Sequence, residues 1–212
     1  MNQMKDILET YFTVLFHPYK VHGQFRFQMP STSTYSLRPL RLSEAIGVSW
    51  IFCIVRGLIK LLMMNFFIIT VGSTFSGLEV GGLFSDSISS GYSFFVISSA
   101  LDILFFPIAA LIINSYWAWV IKLFIKWLNP DLDREKISDE ITTHALSSHF
   151  LGVIPFVGEF FQFLYYYFLL YVGLRANLGA SRSFSLVVLI SPFLFIAMVV
   201  GLLSFAVFYL GQ

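Results

Sequence analysis

The sequence predicts an all-α integral membrane protein. Its expected form is a five-span helical bundle whose third and fourth spans make a short hairpin, with an N-terminal amphipathic interfacial helix in front. Composition is the first observation behind this. Of 212 residues, 57% are hydrophobic, 18% aromatic and only 12% charged, against roughly 25% charged in soluble domains. With a mean hydropathy of +0.79, lipid rather than water has to cover the surface. The second observation is how positive charge is sorted. When the apolar stretches are threaded as five spans, every one of the 13 Lys and Arg residues except Arg56 and Lys60 falls on one side. Lys and Arg resist translocation and collect in cytoplasmic loops, so that side is the cytoplasm.

Residues 1–41 read as a cytoplasmic N-terminal segment and residues 42–212 as the membrane domain. In the first segment, Met4, Ile7, Leu8, Tyr11, Phe12, Val14 and Leu15 recur at helical spacing opposite Lys5, Asp6, Glu9, Thr10 and Thr13. This predicts an amphipathic helix, too short and too charged to span, lying in the interface or against the bundle and stopped by Pro18. With acidic residues among its apolar ones and no small-residue cleavage site, the start of the chain does not read as a signal peptide. Residues 19–39 are polar and turn-rich, with Gly23, Pro30 and Pro39, and are expected to be an irregular cytoplasmic segment.

Ser43 and Glu44 signal a helix start, and the first span is expected at about residues 45–71. Residues 72–91 are Gly- and Ser-rich, contain Glu79 and Asp86 but no Lys or Arg, and read as an external loop that includes Ser85. The second span is placed at 93–121, its helix running on past Trp117, Lys122 and Lys126 into the cytoplasmic interface and ending at Asn129-Pro130. Residues 131–140 read as a charged internal loop. A single span over 137–174 would strand Arg175 and Arg182 outside. Two spans, 137–153 and 159–174, folded at Ile154-Pro155-Phe156-Val157-Gly158, return both to the cytoplasm and explain the Pro and Gly at the midpoint. The first limb is polar for a span, so it must be shielded by other helices or line a wet cavity. The last span, 184–210, is uncharged and leaves Gln212 outside.

Charges inside a span point to a site, because each costs at least ~2.5–3.5 kcal/mol at the centre of a helix. Arg56 and Lys60 lie four apart on one face of the first span, and Asp102 falls at a similar depth in the second. The spacing allows a Lys60–Asp102 pair with Arg56 one turn further in. Such a pair reads first as a structural lock that fixes helix register and second as a polar path or binding site for an anionic group. With His144, Ser147, Ser148 and His149 these residues form the candidate intramembrane polar site. Glu140 and His144 share a helical face, but His149 is rotated away from them, and no metal-ligand spacing is present. Glu159 is placed at the external interface, and His17 and His22 read as ordinary interfacial residues. There is no phosphate-binding Gly loop and no Ser with a base at usable spacing. The sequence therefore predicts no enzyme, no cofactor and no metal. Cys53, the one cysteine, sits in an apolar run and reads as a small packing residue. A net charge of +1 gives no basic face for nucleic acid.

The run Ile154-Pro155-Phe156-Val157-Gly158-Glu159-Phe160, the apolar limb closing on Gly173-Leu174-Arg175, and the final span resemble the Yip family of Ypt-interacting proteins. Phe16-His17-Pro18 and Leu42-Ser43-Glu44-Ala45 are similar to that family's opening. The resemblance covers most of the chain and is most specific over residues 154–175. It implies five spans with a cytoplasmic N-terminus, and structural rather than catalytic roles for Ile154, Pro155, Gly158, Gly173, Leu174 and Arg175. The short N-terminal segment looks like that of the bacterial members, which implies a bacterial inner membrane. Two functions are then expected to compete. One is a membrane scaffold or adaptor in membrane organisation or trafficking, acting through lipid contacts, a protein partner or a homo-oligomer. The other is a transporter or channel-like protein with an intramembrane site for an ion, a lipid headgroup or another anionic substrate.

Overall fold

The computed structural model describes residues 2–24, 38–75, 81–128 and 132–210, without the side chains of residues 2, 71–90 and 210. Among the described residues all regular structure is helical. The helices are α1 (Asn2–Phe16), α2 (Pro18–Gln24), α3 (Leu42–Phe75), α4 (Gly81–Leu128), α5 (Arg134–Ala145), α6 (Gly158–Ala176) and α7 (Arg182–Leu210). A 3-10 helix over Leu146–Val153 follows directly on α5.

Three helices are long and apolar enough to cross a membrane, over Leu42–Thr70 of α3, Gly91–Leu128 of α4 and Arg182–Tyr209 of α7. Only 11%, 11% and 17% of their most apolar stretches is buried within the protein. Side chains such as Phe66, Phe94, Leu104, Phe195 and Phe205 therefore face outward, as suits a hydrocarbon solvent. α6, with 19 residues, matches the ~30 Å hydrocarbon core in length at ~1.5 Å per residue. Glu159, Gln162 and four tyrosines lower its apolarity.

Local signals set the helix starts. The Glu44 carboxylate reaches back to accept the Arg41 N–H at 3.0 Å, one half of a capping box. Asp133 caps α5 by accepting the Lys136 N–H at 3.2 Å, and Ser181 caps α7 through the Phe184 N–H at 3.2 Å. Pro18 does more than stop α1. It is the first residue of α2, where its missing N–H costs nothing. This corrects the irregular reading of residues 19–39 over their first turns; residues 25–37, with Arg26, Pro30 and the Ser/Thr run, lie outside the description.

Two further expectations are corrected. The Gly/Ser-rich stretch read as a loop over 72–91 is helical at both ends, with α3 running to Phe75 and α4 starting at Gly81. Residues 76–80, Glu79 among them, lie outside the description. The loop read over 131–140 is also mostly helix, since α5 begins at Arg134. Hydropathy reports whether a stretch suits lipid, not whether its backbone is helical, and Gly and Ser are weak helix formers, so helix here was not legible from composition. Asn129-Pro130 and Gln212 are outside the described residues.

Both internal prolines have their orphaned carbonyls satisfied. A proline at position i cannot donate to the carbonyl at i−4, so Pro107 in α4 frees that of Ile103. The Trp50 indole N–H, from α3, donates to the Ile103 oxygen at 2.8 Å. Pro192 in α7 frees the Val188 carbonyl, which accepts the Ser191 hydroxyl at 2.8 Å. Where no water reaches the backbone, such substitutes are required.

The helices group into two compact units. One comprises α1, α2, the later part of α4 from Asn114, α5, the later part of α6 from Tyr167, and α7. Its core holds Tyr11, Ile121, Ile125, Ile141, Leu169, Leu170 and Leu174, all fully buried. Gly173 lets α6 approach α5: a Cβ there would stand 2.7 Å from Ile141 Cγ2. At the end of α6, Gly179 turns the chain with φ 69°, and the Arg175 guanidinium holds the turn by donating to the Ala180 carbonyl at 2.9 Å. The other unit comprises α3, α4 up to Ile113, the 3-10 helix and the start of α6 up to Tyr166. Here Ser49 donates to the Leu146 carbonyl at 3.0 Å, and Phe52 packs edge-on against Phe150 at 5.2 Å.

Candidate functional site

The site lies in the second unit, where α3 passes the tip of the hairpin. Arg56 and Lys60 are one helical turn apart on α3, and Glu159 and Gln162 lie three apart at the start of α6. Lys60 Nζ is ion-paired and hydrogen-bonded to Glu159 Oε1. Arg56 Nη1 lies 3.7 Å from the same oxygen and donates to Gln162 Oε1 at 3.4 Å. Arg56 Nη2 also approaches Cys53 Sγ at 3.6 Å. Two cations thus share one carboxylate.

The expected Lys60–Asp102 pair is not formed. The Asp102 side chain is exposed, and no ion pair among the described residues joins it to Lys60 or Arg56. What places Glu159 there is the length of the hairpin. Glu159, two residues past Val157 of the turn, is bonded to Lys60, whereas from Lys60 α3 continues a further ~22 Å to Phe75 at ~1.5 Å per residue. Glu159 therefore meets Lys60 part-way along α3 rather than at the end of that helix. The sequence signal was present in its position, directly after Pro155-Phe156-Val157-Gly158, but the depth of that turn was not.

The turn itself is tightly constrained. Val157 N–H donates to the Pro155 carbonyl at 2.7 Å across Phe156, whose φ is 63°. This is a γ-turn with positive central φ, a strained form that a bulky side chain rarely adopts. Gly158 then sits so close that a Cβ would stand 2.5 Å from the Leu151 carbonyl oxygen. Backbone cannot yield there, so this position admits only glycine.

Next to the charges an open cleft of about 560 Å³ runs along α3. Its walls include Met63, Phe67 and Thr70 of α3, Phe95 of α4, and Pro155 and Phe156 of the turn. Arg56, Lys60 and Glu159 form its polar end. None of Ser147, Ser148, His149 or Asp102 lines it. Ser147 and Ser148 are fully buried. His149 packs edge-on against Phe106 at 4.9 Å, and its Nδ1 lies 2.8 Å from the Leu146 carbonyl, which fixes the proton on Nδ1 because a carbonyl only accepts. The polar first limb of the hairpin is directed into packing, not into the cleft.

His144 belongs to the other unit and is not part of this site. It is fully buried and meets the ring of His22 edge-on at 5.0 Å. His22 is equally buried, and neither of its ring nitrogens has a hydrogen-bond partner among the described residues. Burial pushes its imidazole down to about 4. Sequence reading took His22 for an interfacial residue; only docking of α2 against α5 shows otherwise. Glu140 accepts from Asn177 at 3.3 Å and stands apart from any ligand set. Among the described residues no three His, Cys, Asp or Glu side chains gather as metal ligands.

Comparison of the chain with protein-family models, with curated proteins and with solved structures gives no match.

Proposed function

We propose that this chain is a multi-pass, non-enzymatic membrane protein of the Yip type, acting as a scaffold or adaptor through lipid or protein contacts. In this reading the limbs 137–153 and 159–174 complete a five-span bundle beside the three long apolar helices, and α1 lies in the interface. The N-terminus, Arg134 and Arg175 are cytoplasmic, Ser85 and Gln212 are external, and the membrane is a bacterial inner membrane. One observation carries the choice of scaffold over transporter: the polar side chains of the first hairpin limb are committed to packing. Thr142 donates to the Ser138 carbonyl at 3.0 Å, His149 is tied to Leu146, and Ser147 and Ser148 are fully buried. A transport pathway would need these groups to face a cavity. The motif residues also have structural work, with Gly158 closing the turn, Gly173 admitting Ile141 and Arg175 holding the loop after α6.

Two experiments test this reading. On a Cys53-free background, a cysteine introduced at position 177 should resist a membrane-impermeant thiol reagent in intact cells and react after lysis; labelling in intact cells would remove the hairpin. Ser148→Ala should keep or raise stability, by up to ~1–3 kcal/mol, because the buried Ser148 hydroxyl has no partner among the described residues. Any cellular phenotype of the protein should survive that substitution. Its loss from a stable Ser148→Ala protein would restore the transporter reading.

A further inference from the structure

Resting on that reading, we infer that the cleft beside Arg56 and Lys60 holds one membrane phospholipid with an anionic headgroup. Charge complementarity identifies the occupant. The polar end of the cleft carries two cations against one carboxylate, which leaves one positive charge for a phosphate. Beyond it, the walls built by described residues are apolar apart from Thr70, whose hydroxyl is bonded within its own helix to the Phe66 carbonyl at 2.8 Å. From Arg56 to Thr70 the cleft follows α3 for ~21 Å at ~1.5 Å per residue, which exceeds the ~15 Å depth of one bilayer leaflet's hydrocarbon. The cleft is open and of about 560 Å³, so it takes the headgroup and part of an acyl chain while the rest of the lipid stays in the bilayer.

Glu159 has a defined part in this site. Its carboxylate holds Lys60 and Arg56 together. A lipid phosphate brings stronger acceptor chemistry to the same two donors, and Arg56 can engage it in bidentate fashion. Gln162, already bonded to Arg56, keeps the guanidinium oriented during the exchange. The strained Phe156 forms part of the cleft wall, where its exposed ring is placed to cover an acyl chain.

The test uses the full chain reconstituted in discs of mixed phosphatidylcholine and phosphatidylglycerol. Native mass spectrometry after mild release counts the lipids that stay bound. The wild type should retain one phosphatidylglycerol in preference to phosphatidylcholine. Arg56→Gln with Lys60→Gln should lower that retention roughly tenfold, the effect of losing charged contacts. Glu159→Gln should raise it by removing the competing anion. Met64→Trp, which fills the cleft without altering charge and guards against misfolding of the double variant, should abolish retention of both lipids. Undiminished phosphatidylglycerol on Met64→Trp, or equal retention by the double glutamine variant, would overturn the site. So would inorganic phosphate protecting the detergent-solubilised protein against heat as well as phosphatidylglycerol does. Loss of the lipid preference with position 177 still shielded would refute this inference alone. Labelling at 177 with the preference intact would refute the topology alone.

Discussion

Trp50→Phe should destabilise the protein through a backbone carbonyl about fifty residues away in sequence. Pro107 deprives the Ile103 carbonyl of its helical partner, and the Trp50 indole supplies the replacement at 2.8 Å. Phenylalanine retains most of the ring but donates nothing. An orphaned carbonyl shielded from water costs ~1–3 kcal/mol, and the ring loss adds under ~1 kcal/mol because Trp50 is partly outward-facing. Pro107→Ala restores the N–H and lets Ile103 bond within α4, so the same Trp50→Phe change should then cost only the packing part. A double-mutant cycle read by reversible unfolding in mixed detergent micelles should thus give a coupling of ~1–3 kcal/mol between residues 50 and 107. If Trp50→Phe cost the same in the wild type and in the Pro107→Ala background, the indole would not be the substitute donor and the reasoning would fail.

Acid should also weaken the fold through His22. Its folded-state value is about 4 against an ordinary 6.5, so the unfolded chain binds the proton more readily. The contribution is whole above 6.5 and is lost as pH falls toward 4, where the loss reaches ~3 kcal/mol. His22→Phe should therefore narrow the gap between melting temperatures measured at about pH 7.5 and about pH 4.5, and an unchanged gap would refute a buried neutral imidazole. The two motif glycines should behave differently. Gly158→Ala sets a Cβ against the backbone oxygen of Leu151, so it should prevent a stable hairpin, with no side-chain substitution able to rescue it. Gly173→Ala meets only the side chain of Ile141, and Ile141→Ala should recover most of what it loses; a thermal-shift comparison of the wild type, both single glycine variants and the Gly173→Ala, Ile141→Ala double variant decides.

Hydropathy marked α3, α4 and α7 because a helix that faces lipid must be apolar all round, and that requirement is written residue by residue. The hairpin turn was equally legible: Pro155 and Gly158 restrict the backbone whatever surrounds them. The helix start signalled by Glu44 is local in the same sense. Arg56 and Lys60 were marked as site residues because charge within an apolar run is anomalous on its face. Their partner was not. Lys60 has Asp102 at a compatible depth by counting, yet it pairs with Glu159 because the hairpin is shorter than α3 and brings its tip to the level of Lys60. Likewise, the hydroxyls at 147 and 148 read as cavity-lining or as packed with equal ease, since a sequence gives polarity but not what faces it.

The sequence by itself determined that this is a helical chain made for lipid, where it turns sharply, and which charges must find a partner. These follow from solvation and backbone sterics, which act over a few residues. The tertiary structure alone decided which carboxylate answers Arg56 and Lys60, that Trp50 repairs the gap left by Pro107, and that His22 is buried against His144. Each depends on the relative height of two elements distant in the chain, a quantity set by packing and recorded at no single position.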